Sequence, residues 1–336
     1  MTTTRNTTEE TTGTTATGPV LVLGATGKTG RRVTRLLRAA GVPVRAASRS
    51  GEVRFDWAEP ATWAGALEGA TAAYVIASDA HPDAVGAFTE QAVAAGVGRF
   101  VALSGRGIDE VGPDFGQGMV AAERAVRASG ARWSVIRPNN FNQNFDEDVW
   151  HQPLLDGRLA LPIGDVPEPF VDADDVAEVA AALLTRDGHD GQVYELSGPR
   201  GLTFAEAAEQ IARAAGRPVT YVELTPEEYE AELTAAGWPE TGVRSMSALF
   251  ALHRTGISAV PVDGVRRVLG REARGFEAYV ERGVAAGRGD AAGAGAGRRG
   301  MGPSPARPFP PHGGADAPGT ATPPPVGLLR SAERRR

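Results

Sequence analysis

The chain has no cysteine in its 336 residues. That excludes a disulfide framework, a thiolate nucleophile and cysteine metal ligands, and it fits the reducing cytoplasm, which is the expected location. No apolar run approaches the length needed to cross a bilayer, and the Thr-rich start lacks the hydrophobic core of a secretory signal. A membrane partner is therefore not expected. The five histidines show no metal-ligand spacing, so no metal is expected either. Lysine is nearly absent: Lys28 is the only one, and arginine fills every other basic position. A formal net charge of -6 argues against a general nucleic-acid binder. The 42% hydrophobic content is enough to build a real core.

What is present is organised around Val20-Leu21-Val22-Leu23-Gly24-Ala25-Thr26-Gly27-Lys28-Thr29-Gly30. An unbroken apolar run reads as a strand buried on both faces. The segment after Gly30 carries Val33, Leu36, Leu37 and Ala40 at helical spacing behind a charged face. Strand, glycine turn and helix make the phosphate-binding unit of a Rossmann-type domain. Gly24 permits the tight turn, Gly27 the approach of a pyrophosphate, and Gly30 close packing of helix on strand. Thr26, Lys28 and Thr29 fall within the same cofactor-binding turn. The spacing does not fit a P-loop, which needs four residues between its glycines.

Further strands are predicted at Val42–Ala47, Glu52–Trp57, Ala72–Ala77, Arg99–Leu103 and Trp133–Ile136, separated by helices at Pro60–Leu67, Asp83–Ala95 and about Gly116–Ser129. This alternation predicts a doubly wound, parallel α/β sheet. Beyond Pro138 it loosens. A helix after Asp172, a strand at Gln192–Leu196, a capping box at Thr203 and Glu206, and a strand at Tyr221–Leu224 are expected there. We expect a disordered leader (1–18), a dinucleotide-binding core (19–137), a small substrate-side lobe partly interleaved with it (138–286), and a disordered Gly/Ala/Pro/Arg-rich tail (287–336).

The end of the second strand bears on the cofactor. An Asp or Glu there would bond the ribose hydroxyls of NAD. This chain has Ser48-Arg49-Ser50 instead. A guanidinium and hydroxyls suit a 2′-phosphate, so NADP(H) is preferred, with NAD(H) as the alternative. Asp56 is either a partner for the adenine amino group or the cap of its own turn. Ligands of such sheets lie beyond the carboxyl ends of the strands. That puts Ala77, Ser104 and Asn139 beside the cofactor, and Ser78, Asn140, Phe141 and Phe145 around a small-molecule substrate.

The glycine unit, Ala47-Ser48-Arg49-Ser50, Phe55-Asp56-Trp57, Phe100-Val101-Ala102-Leu103-Ser104, Arg137-Pro138-x-x-Phe141 and Val171-Asp172-x-x-Asp175-Val176-Ala177 stand in a family order. Over roughly 19–282 they resemble the atypical short-chain dehydrogenase/reductases of the NmrA-like family, nearest the ergot-alkaloid reductases. The resemblance implies an NADP(H)-dependent reductase of a small organic molecule, such as an imine or iminium of secondary metabolism. A quinone or enone reductase is one alternative. A dinucleotide-sensing regulator that contacts a partner protein is another. The chain departs from the short-chain dehydrogenase pattern in lacking the Tyr-x-x-x-Lys pair: Lys28 has no tyrosine four residues before it, and the corresponding helix reads Met119-Val120-Ala121-Ala122-Glu123. Glu123 and His151 are the remaining candidate acids.

Overall fold

The structure, a computed structural model, describes residues 18–285. Apart from Gly18, the expected disordered leader and tail lie outside them. In chain order the core runs β1 (Val20–Leu23), α1 (Lys28–Ala39), β2 (Val44–Ser48), β3 (Val53–Arg54), α2 (Trp63–Leu67), β4 (Ala72–Val75), α3 (Ala84–Ala94), β5 (Arg99–Leu103), α4 (Gln117–Ala128) and β6 (Arg132–Pro138). It continues through α5 (His151–Leu155), β7 (Arg158–Leu161), α6 (Ala173–Thr185), β8 (Gln192–Leu196), α7 (Phe204–Ala215), β9 (Thr220–Glu223), α8 (Pro226–Ala235), α9 (Glu240–Arg254), α10 (Gly264–Leu269) and α11 (Phe276–Ala285).

Seven strands form one sheet in the order β3-β2-β1-β4-β5-β6-β8, and every pairing is parallel. The order reverses between β1 and β4, which is where such sheets open a crevice for ligand. The unbroken apolar β1 has both faces covered, and Leu21 and Leu23 are wholly buried. Each such leucine stabilises the fold by about 1.5–3 kcal/mol. Val33 and Leu37 of α1 pack with Val176, Ala180 and Leu183 of α6 on one face of the sheet. Trp63, Phe88 and Val126, from α2, α3 and α4, cover the other. The segments after β6 thus supply both a sheet strand, β8, and a cover helix, α6.

The third strand is shorter than predicted. β3 stops at Arg54, and Phe55 and Trp57 turn away from the sheet edge to pack edge-on with each other at 5.0 Å. Trp57 also meets Phe88 at 5.2 Å, and its indole N–H donates to the Ile76 carbonyl (3.1 Å). The Phe-Asp-Trp element is therefore an aromatic staple that pins the end of β4. The capping box at Thr203 and Glu206 forms, and Gly216 ends α7 in the left-handed region (φ 64°). β7 was not anticipated; it pairs with β9 as a separate parallel two-stranded sheet.

A third apolar cluster joins Phe145, Trp150, Phe170, Phe204, Phe250 and Phe276 beside the sheet. Phe145 is only 2% exposed and stacks with Trp150, Phe170 and Phe276. Its expected place in a substrate wall is corrected: the ring belongs to this core.

Candidate functional site

Gly24 holds the left-handed conformation (φ 62°) that turns the chain out of β1. A Cβ on Gly30 would lie 2.2 Å from the Gly24 carbonyl oxygen, so only hydrogen fits where α1 crosses the turn. Gly27 is exposed, and nothing but that same oxygen, at 3.2 Å, comes near its Cβ position. Thr26 is exposed beside it. The N–H groups of Lys28, Thr29 and Gly30 open α1, where a helix has no internal carbonyl to offer them. The Thr29 hydroxyl is buried and accepts a hydrogen bond from Tyr74 (3.3 Å).

Lys28 reaches from the turn to the segment after β6. Its ammonium donates to Asn144 and to Asp148 (2.5 Å) and lies 5.4 Å from the Phe141 ring. Burial pulls its pKa below the ordinary value, against the attraction of Asp148. The side chain predicted to touch cofactor is thus engaged by an internal anion.

At the end of β2 the Ser48 hydroxyl is buried with no hydrogen-bond partner among the described residues. Arg49 is exposed beside it, with no ion pair or hydrogen bond among those residues. An orphaned hydroxyl and an open guanidinium fit the ribose end of a dinucleotide. Asp56 caps its own turn, its Oδ1 accepting from the Ala58 N–H (3.0 Å).

A cavity opens beyond the carboxyl ends of β4, β5 and β6. It is lined by Ile76, Ala77, Ser104, Gly105, Arg106, Met119, Asn139, Asn140, Phe141 and Asn144, and on the far side by Leu249, Leu252, His253 and Ser258. It adjoins the glycine turn: the Ile76 side chain comes within 3.4 Å of the Cβ position of Gly24. The Ser104 hydroxyl is buried with no partner among the described residues. Met119 stands where a tyrosine acid was sought, and it cannot exchange a proton.

Several expected residues are placed differently. Ser78 does not line the cavity; its hydroxyl accepts from the Ala80 N–H (3.2 Å) in the loop after β4. Asn139 lines the cavity, yet its amide is spent. It donates to Glu168 (2.6 Å) and the Ser258 carbonyl (2.9 Å) and accepts from Arg106 (2.8 Å), so it is not free to orient a nicotinamide. His151 begins α5 away from the lining. Glu123 is buried outside the cavity, gripped by Arg137 and Arg127.

Sequence reasoning missed two groups. Glu168 is 2% exposed and lines the cavity. It accepts from the Asn139 amide, the Asn140 N–H (3.0 Å) and the Ser258 hydroxyl (3.4 Å). His253 of α9 faces it, with Nδ1 3.5 Å from Oε2. Burial lowers the His253 pKa, and Glu168 opposes that shift. The only available signal was a polar residue on an otherwise apolar helix face.

Among the described residues no cluster of His, Asp or Glu could hold a metal, and no helix is long and apolar enough to cross a membrane.

Residues 24–187 match the NAD(P)H-binding family. The NAD(P)H azoreductase of Xenophilus azovorans is 34% identical over 284 residues, spanning 80% of this chain and 98% of the relative. The agroclavine dehydrogenase of Claviceps fusiformis is 27% identical, spanning 78% and 96%. Among solved structures, a Citrobacter sp. triphenylmethane reductase complexed with NADP(H) shares the fold (TM-score 0.64, 20% identity, 79% and 99% covered). So does NmrA, a negative transcriptional regulator (TM-score 0.61, 18% identity, 82% and 98% covered).

Proposed function

Because this chain belongs to the NAD(P)H-binding reductase family of its azoreductase relative and shares the fold of NmrA, we propose that it is an NADPH-dependent reductase of a small, flat, electron-poor organic molecule. The observation that carries this reading is the cavity at the strand ends, apolar over most of its lining and directly beside the glycine turn. A protein that only senses a dinucleotide has no need of such a chamber.

Each part of the site has a task under this reading. The first-turn N–H groups of α1 receive the pyrophosphate, which Gly27 lets approach. Arg49 and Ser48 receive the 2′-phosphate and favour NADPH over NADH. Ser104 supplies the hydroxyl nearest the chemistry. Met119, Phe141, Leu249 and Leu252 surround an apolar substrate and exclude water. NADPH supplies hydride when bound. The protein's own contribution is to hold the acceptor still in a dry site, and positioning of that kind accounts for much of a hydride-transfer rate. An iminium acceptor asks for nothing more, since hydride addition leaves a neutral amine.

The test is NADPH oxidation, followed by its absorbance, with a cyclic iminium, 1,4-naphthoquinone and an azo dye. Turnover of at least one acceptor is expected. Tight NADPH binding with no turnover of any would overturn the reductase reading in favour of dinucleotide sensing.

A further inference from the structure

We propose that His253, aligned by Glu168, is a proton donor to the substrate, and that the site therefore serves neutral conjugated acceptors whose reduction leaves an anion, such as quinones and azo compounds. The proposal rests on the reductase reading above and adds the proton that an iminium does not need.

The argument begins with Glu168. Its buried carboxylate accepts from the Asn139 amide, the Asn140 N–H and the Ser258 hydroxyl, and its Oε2 lies 3.5 Å from His253 Nδ1, within ion-pair reach of a protonated ring. The ring beside it lines the same cavity. A carboxylate at Nδ1 orients an imidazole and stabilises the imidazolium. Asn140 completes the arrangement. Its Nδ2 lies 3.1 Å from His253 Nδ1 and 3.3 Å from Nε2. A side-chain amide can offer its NH2 to a neutral ring and, turned over, its carbonyl to a protonated one. The charged group facing the ring is Glu168. Arg106, which lines the same cavity from the loop after β5, is occupied by Asn139, by the Ser258 and Val260 carbonyls and by an ion pair with Glu195 (3.4 Å).

This supplies what the missing tyrosine would have given. The acceptor gains a hydride, with its two electrons, from the dihydronicotinamide of NADPH. Negative charge develops at the far oxygen or nitrogen. The Nε2–H bond of the His253 imidazolium breaks and an O–H or N–H bond forms there, leaving a neutral imidazole beside Glu168. A quinone becomes a hydroquinone, NADPH becomes NADP+, and the ring recovers its proton from water. Glu168 is a positioning residue and takes no part in the transfer. Burial disfavours the imidazolium, so the donating form accumulates only as pH falls below the ordinary histidine range.

Three measurements test this. In the wild type, kcat/KM for 1,4-naphthoquinone should rise on acidification below about pH 6.5, while the profile for a cyclic iminium is flatter. In His253→Gln the quinone rate should fall about 10²–10⁴-fold more than the iminium rate. Without cofactor or substrate, NMR titration of the histidine rings should place His253 below an ordinary histidine, and Glu168→Gln should push it lower still. A flat quinone profile in the wild type, or equal losses for both acceptors in His253→Gln, overturns the proposal while the reductase reading stands. A His253 titration unmoved by Glu168→Gln overturns the pairing. No NADPH oxidation with either acceptor overturns the reductase reading itself, and this proposal with it.

Discussion

Arg137 holds Glu123 by two hydrogen bonds of 2.8 Å, one from Nε and one from Nη2. Arg127 adds a third at 2.7 Å, and Asp109 takes the remaining face of Arg137 at 2.7 and 3.0 Å. This network ties α4 to β6 and fixes Met119 on the cavity side of the helix. These partners hold Arg137 charged, its pKa raised first by the hydrogen bond to Glu123. Glu123 is thus structural. Removing one partner of a buried ion pair costs about 3–5 kcal/mol. Glu123→Gln should lose stability toward the lower end of that range in urea unfolding, with NADPH oxidation per folded molecule unchanged. A selective loss of turnover at full stability would return Glu123 to the list of acids.

Gly30 and Gly27 should fail in different ways. A methyl on Gly30 collides with the Gly24 backbone, so Gly30→Ala should destabilise the fold by about 1–3 kcal/mol. Gly27 is exposed and only the Gly24 carbonyl oxygen, at 3.2 Å, crowds its Cβ position, so its alanine variant should lose much less stability than Gly30→Ala. Its Cβ would instead intrude where pyrophosphate approaches, so NADPH should bind more weakly. Paired thermal melts and NADPH titrations separate the two effects. Equal stability losses in both variants would contradict the assignment.

Arg49→Ala tests the choice of cofactor. A charge-assisted contact to phosphate is worth about 1.5–3 kcal/mol, or roughly ten- to more than a hundredfold in affinity. NADPH should weaken by that order while NADH barely changes. Equal losses for both would remove Arg49 from the phosphate role.

The features legible in the sequence are those written in local chemistry. β1, its glycines and α1 are contiguous, and the Thr203 capping box needs only four residues. The site is legible only as far as the strand ends, because topology alone says that ligands gather there. Its far wall comes from α9, whose cavity-facing residues meet the strand ends only through tertiary packing. Glu168 and His253 each read as ordinary polar positions until the fold brings them together. Phe145 departs in the opposite direction: its type suggests a pocket, but Phe170 and Phe276, distant in sequence, claim the ring for the core. Asn139 does line the cavity, with its amide held by Glu168 and Ser258. β7 was missed because the four residues Arg158–Leu161 become a strand only against β9.

The buried imidazole also makes stability depend on pH, independently of any chemistry. The folded-state pKa of His253 lies below the ordinary 6.5, with burial the larger cause and Glu168 opposing it. Between the two pKa values the unfolded chain binds the proton and the folded chain does not. Protons therefore favour unfolding in that window, and stability rises with pH through it. The slope there approaches about 1.4 kcal/mol per pH unit for one such group. Above about pH 6.5 both states are neutral at this position and the dependence ends. His189 is shifted in the same direction, chiefly by burial, so the wild-type curve alone does not isolate His253. The difference curve does. Urea unfolding between pH 5 and pH 7.5 should show the wild type losing stability on acidification more steeply than His253→Gln. The two curves should run parallel above pH 7. Parallel curves across the whole range would show that His253 titrates alike in the folded and unfolded chains, and the buried pair with Glu168 would then lack the electrostatic weight assigned to it here.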